Sequence, residues 1–101
     1  MLLTDYPIAV VAWHQPGCGH CEEFLPRARE LAAHHPGVAT IFIDATENER
    51  LADGFDIRAT PTVTVLAFGR TVERYDRALK DEQLADLYER ASGFLRGRDA
   101  A

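Results

Sequence analysis

The sequence is short of the features that would place it in several broad classes. Its first apolar run, "IAVVAW" at residues 8–13, falls far below the ~20 residues that a membrane-crossing helix needs. No basic start leads into that run, as one would in a secretory leader. Basic residues are outnumbered, with 11 Lys and Arg against 16 Asp and Glu and a formal charge of −5. Lys80 is the only lysine. This balance argues against a nucleic-acid groove and against an anionic membrane surface, both of which call for excess positive charge. There is no repeat, no low-complexity segment and no long linker. The expectation is a cytoplasmic protein, a monomer, with neither nucleic acid nor membrane as partner. In that compartment thiols stay reduced, and a close cysteine pair serves catalysis or metal binding rather than structure.

What is present suits one domain. The chain has 101 residues, 47% of them apolar, enough for a single core; the expected domain is 1–101 with its core at about 7–95. "PIAVVAW", residues 7–13, is continuously apolar and β-branched, as in a strand buried on both faces of a parallel sheet. "QPG" ends it. From Gly19 to about His34 the apolar residues Phe24, Leu25, Ala28, Leu31 and Ala32 form a helical stripe, with Pro26 inside it. "VATIFID", residues 38–44, reads as a second strand. Thr46 to Glu49 has the form of a capping box, which predicts a short helix to about Asp53. "TVTVLAF", 62–68, and "TVERY", 71–75, predict a hairpin around Gly69-Arg70. Leu84, Leu87, Tyr88, Ala91 and Leu95 predict a last amphipathic helix from near Asp81, with 96–101 frayed. The order is β-α-β-α-β-β-α: an α/β fold whose mixed central sheet is flanked by helices, with a right-handed parallel crossover at its start.

The two cysteines lie together in "QPGCGHCEEF", residues 15–24. A closed zinc site needs four ligands, and Cys18 and Cys21 supply two. His34 is the next candidate, but its companion His35 is adjacent, where three to five intervening residues are the rule. Neighbouring helical residues point about 100° apart, so a metal is not expected. A purely structural disulfide across so short a loop stabilises little. A redox couple fits the placement. Cys18 follows a buried strand and precedes a helix, whose first turn offers free N–H groups and a positive dipole end. A thiolate is stabilised there, and the thiolate is the nucleophile of disulfide exchange. Cys21 is close enough to resolve a mixed disulfide. His34 and His35 read most simply as a solvated helix end, Asp44 and Thr46 as caps of the next segment, and Trp13 as core packing or active-site wall.

These residues resemble the thioredoxin-like family over about residues 7–95. "CGHC" matches the active-site tetrapeptide of protein disulfide isomerase domains; ordinary thioredoxins usually have proline where this chain has His20. Pro16 matches the lead-in to that tetrapeptide, and Pro26 the helix-kinking proline. "IRATPT", residues 57–62, is similar to the segment that carries the family's cis-proline, which implies that role for Pro61. Gly69 sits at the hairpin turn, as in the family. The resemblance implies a near-minimal thioredoxin-like fold and a thiol–disulfide oxidoreductase acting on protein disulfides. Cys18 would be the attacking sulfur and Cys21 the resolving one. His20 and Gly19 would tune the couple, and Gly17, Thr60 and Pro61 would meet the substrate. No metal or organic cofactor is implied beyond the redox-active disulfide; electrons would come from a thioredoxin-reductase-like or thiol donor.

The chain also departs from the family pattern. Gly17 replaces a tryptophan before the first cysteine. Ala12 replaces a buried acid that accepts the proton of the second cysteine, and Thr40 replaces the lysine that often accompanies it. Water or a carboxylate such as Glu22 would then take that proton. Arg77 stands where a glycine commonly lines the substrate surface, and only about six residues precede the first strand. A glutaredoxin-like, glutathione-dependent enzyme is one alternative, opposed by the lack of a Gly-Gly-Asp type segment after Pro61. A binding module with idle cysteines is another. Disulfide-reduction turnover separates them.

Overall fold

The computed structural model describes residues 2–100. The chain begins with a short turn of 3₁₀ helix at Leu3–Asp5, then runs through β1 (Ala9–His14), α1 (Gly19–Ala33), β2 (Ala39–Asp44), α2 (Glu49–Gly54), β3 (Thr62–Ala67), β4 (Arg70–Tyr75) and α3 (Asp81–Ala100). The four strands form one sheet in the order β2-β1-β3-β4. β1 pairs in parallel with β2, antiparallel with β3, and β3 pairs antiparallel with β4. The α/β class and the mixed sheet expected from the sequence are therefore found.

The unbroken apolar run of β1 follows from its central place. Successive side chains point to opposite faces, and both faces are covered. Val10 and Ala12 join Val63, Val65, Phe24, Ala28, Leu84, Leu87 and Tyr88 on the face that carries α1 and α3. Val11 and Trp13 join Ile43, Leu66 and Ala52 on the other, beneath α2 and Leu3. Trp13 is wholly buried, its ring 5.4 Å from that of Phe55, so of its two expected roles it takes the core one. Arg27 ties the two long helices together: it pairs with Glu23 on its own helix and with Asp81 at the start of α3, and donates to the Leu79 carbonyl.

Four local expectations need correction. Helix α2 starts at Glu49, with Asn48 as a cap that makes no side-chain bond. The expected capping box does not form, because the hydroxyl and the amide of Thr46 are both held by the Asp44 carboxylate. The β3–β4 turn falls on Phe68 and Gly69, both with positive φ (48° and 83°); two successive left-handed residues suit the twist of a hairpin. A side chain at Gly69 would also meet Thr4 at 2.8 Å. Helix α3 continues to Ala100 instead of fraying after Leu95. The Arg98 guanidinium lies over the Phe68 ring, 5.3 Å from its centroid, and gives the last turns a tertiary partner. Residue 101 lies outside the described residues. Finally, His35 is not simply solvated: its ring stacks on buried Tyr88 with centroids 5.1 Å apart.

Candidate active site

β1 delivers the chain to the edge of the molecule at His14, and "QPG" reverses it into α1. Gly17 has φ +73°, a conformation that glycine adopts without a steric penalty. Its neighbour Gly19 has an ordinary φ and open space around it, so nothing local requires glycine there. Cys18 is the N-cap of α1, in extended conformation. A cap side chain ordinarily accepts a hydrogen bond from the second or third amide of the helix. Here the acceptor is sulfur: the Cys21 N–H donates to Cys18 Sγ over 3.1 Å.

Cys18 and Cys21 are joined as a disulfide, with their Cα atoms 5.2 Å apart. Cys18 is half-buried, whereas Cys21 is only 1% exposed. The carbonyl oxygen of Thr60 lies 3.4 Å from Cys18 Sγ. A disulfide sulfur carries no proton, so in this state the approach is a close contact; in the thiol form the same geometry supports an S–H···O bond. Thr60 comes from the loop between α2 and β3, and the Thr60–Pro61 peptide bond is cis. Pro61 is buried, at the point where β3 begins. The fold thus brings together Cys18, Cys21, Thr60 and Pro61, with exposed Gly17, Gly19 and His20 at the same helix start.

A groove of about 330 Å³ opens beside them, lined by His20, Thr60, Pro61, Asp76, Arg77 and Ala78. The last three were not legible as a group from local sequence, apart from Arg77. They arrive through hairpin register: Val63 pairs with Tyr75, so the residues after 75 flank those before 63. Counting outward from the turn would have found them. The Asp76 carboxylate accepts from Arg74 Nε at 2.9 Å and from the Thr62 hydroxyl at 3.2 Å. The Thr60 hydroxyl is buried and has no hydrogen-bond partner.

The interior behind the disulfide is uncharged at the two positions singled out above. Ala12 is 3% exposed within the α1/α3 core cluster. The Thr40 hydroxyl shares a 2.6 Å hydrogen bond with the Tyr88 phenol, whose pKa is raised by burial. Glu22 stands exposed in the first turn of α1, and among the described residues its carboxylate has no hydrogen-bond or ion-pair partner. Its neighbour Glu23 is engaged by Arg27, whose guanidinium holds that carboxyl below the usual range. Among the described residues, no three of His, Cys, Asp and Glu converge as metal ligands, and no helix is long and apolar enough to cross a membrane.

Comparison with known proteins gives consistent relatives. The family model for thioredoxin matches residues 2–90. A protein disulfide-isomerase from Datisca glomerata is 33% identical over 98 residues, covering 90% of this chain and 19% of that protein. Mouse protein disulfide-isomerase A4 is 31% identical over 86 residues, covering 81% of this chain and 13% of its own length. The chain thus spans under a quarter of the length of these curated relatives. Among solved structures, a mutant thioredoxin from Halobacterium salinarum superposes with TM-score 0.76 at 28% identity, covering 87% of this chain and 77% of that one. A thioredoxin from Nicotiana alata does so with TM-score 0.77 at 28% identity, covering 84% and 73%.

Proposed function

The chain belongs to the thioredoxin family, and on that premise we propose that it exchanges disulfides with protein substrates through Cys18 and Cys21. Family, fold and the bonded pair support thiol–disulfide oxidoreduction; the proposal adds the substrate class and the role of each residue. The observation that carries it is the sulfur-capped helix: Cys18 Sγ accepts from the Cys21 amide while facing the Thr60 carbonyl.

In the reducing direction the Cys18 thiolate attacks one sulfur of a substrate disulfide. A mixed disulfide forms, and the other substrate sulfur leaves as a thiolate that takes up a proton. The Cys21 thiolate then attacks Cys18 Sγ and expels the second substrate sulfur. Two electrons pass to the substrate, and the Cys18–Cys21 disulfide is formed. In the opposite direction a substrate thiolate attacks Cys18, the more accessible sulfur. The helix N-terminus and the Cys21 N–H favour the Cys18 thiolate, because both present positive charge to it. His20 adds to this from its exposed place between the cysteines, with Gly19 as the spacer before it. Thr60 presents backbone to an extended substrate as a strand edge does, with Pro61 and Gly17 as neighbouring walls. No metal or organic cofactor takes part; a reductase of the thioredoxin-reductase type or a small dithiol returns the couple to its reduced form.

The test is turnover on a disulfide-bonded protein with dithiothreitol as electron donor. Reduction well above the dithiothreitol background is expected, and Cys18→Ser should abolish it. Cys21→Ser should accumulate a mixed disulfide visible by mass. Background-level turnover by the unaltered chain would leave the binding-module reading in its place.

A further inference from the structure

We propose that Arg77 selects substrates: the groove beside Cys18 takes a polypeptide that carries an acidic side chain near its reacting cysteine. This rests on the oxidoreductase reading above and extends it to specificity.

The charges around the groove are unequal in availability. The Asp76 carboxylate, which lines it, already accepts from Arg74 and from Thr62. The Arg77 guanidinium, by contrast, has no carboxylate partner among the described residues. It lies over the ring of Tyr75, 5.5 Å from the centroid. Stacking on an aromatic face steadies a planar guanidinium while leaving its N–H edge open. That edge suits a carboxylate, which it meets with two parallel hydrogen bonds. Across the groove stands His20, and Thr60 joins the groove to Cys18. A chain of net charge −5 therefore offers an unpaired cation at the place where a substrate must lie. An acidic flank meets that cation; a basic flank meets like charge, which is the repulsive half of discrimination.

Exposed ion pairs are modest, so the expected preference is about fivefold and salt-sensitive. The experiment uses three mixed-disulfide peptides that differ only in the residues flanking the reacting cysteine: Glu, Gln or Lys on both sides. Single-turnover reduction by the pre-reduced chain gives kcat/KM for each. The order Glu above Gln above Lys is expected, compressed by added sodium chloride. Arg77→Gln should level the three, Arg77→Lys should keep the order with a smaller spread, and Arg77→Glu should invert it. Circular dichroism melts of the variants exclude a folding defect. Equal rates on all three peptides, or an order unchanged in Arg77→Glu, overturn this proposal alone. Failure to reduce any of them overturns the oxidoreductase reading, and this one with it.

Discussion

The indole N–H of Trp13 donates to the hydroxyl of Thr64 over 3.0 Å, inside the core and between neighbouring strands. Both residues are fully buried. The bond satisfies the only polar atom of the largest side chain in that layer, at the end of the strand that leads into the cysteine turn. Thr64→Val keeps the volume and removes the acceptor, leaving a buried donor unpaired. The expected loss is about 1–3 kcal/mol, read by denaturant unfolding. In the background of Trp13→Phe the same change should cost much less, because no donor is left to orphan.

The difference in exposure between the two sulfurs predicts their reactivity. In the reduced protein Cys18 should be alkylated at least about tenfold faster than Cys21, since it is accessible and faces free helix amides. Limiting iodoacetamide followed by peptide mass mapping measures the ratio. Preferential labelling of Cys21 would reverse the roles assigned here.

His20 lies in the first helical turn, where a proline is tolerated because the N–H has no partner to lose. His20→Pro removes a basic group beside Cys18 without disturbing the helix. The reduced form then loses stabilisation, and the reduction potential should fall. Each tenfold in the exchange equilibrium is about 30 mV for two electrons, so a threefold change of about 15 mV is readable in glutathione redox buffers. An unchanged or higher potential makes His20 a bystander.

Ala12 sits on the face of β1 that meets α1, the helix carrying Cys21. Ala12→Asp puts a carboxyl into that apolar layer. Desolvation raises the folded pKa of such a group above its unfolded value of about 3.9. The native state then binds more protons than the unfolded state, and stability falls as pH rises through the window between the two values. The penalty, on the order of 3 kcal/mol once the group is forced to ionise, should be larger at pH 8 than at pH 5 in thermal melts. The same carboxylate should speed resolution of a mixed disulfide by taking the Cys21 proton. Resolution at the original rate would show that water or Glu22 already serves as well.

Much of this fold was legible because its signals are local. The apolar run ending at Trp13 announces a central strand, and the stripe from Phe24 to Ala32 announces a helix. The turn between them places Cys18 at a helix start. What escaped depends on residues far apart in the chain. One exception is local: Asp44, two residues away, holds Thr46 and displaces the capping box that the pattern favours. The last turns of α3, past the point where its stripe ends, carry Arg98 over the ring of Phe68. Asp76 and Ala78 joined the groove only through strand register, and His35 found Tyr88 across the fold. Site chemistry was readable from four consecutive residues, whereas the groove that would receive a substrate was not.

Arg74 reaches from β4 to donate to the carbonyls of Phe55 and Asp56, at 2.7 and 2.6 Å, while its Nε holds Asp76. It fastens the exit of α2, and so shortens the free segment that ends in Thr60 and Pro61. The rotational freedom of that segment is surrendered when the protein folds, long before any other chain arrives. On the function proposed above, an incoming polypeptide would have only its own disorder to lose on meeting the Thr60 backbone. The rim of the groove behaves as a fixed jaw, and whatever adjustment an encounter demands falls to the partner.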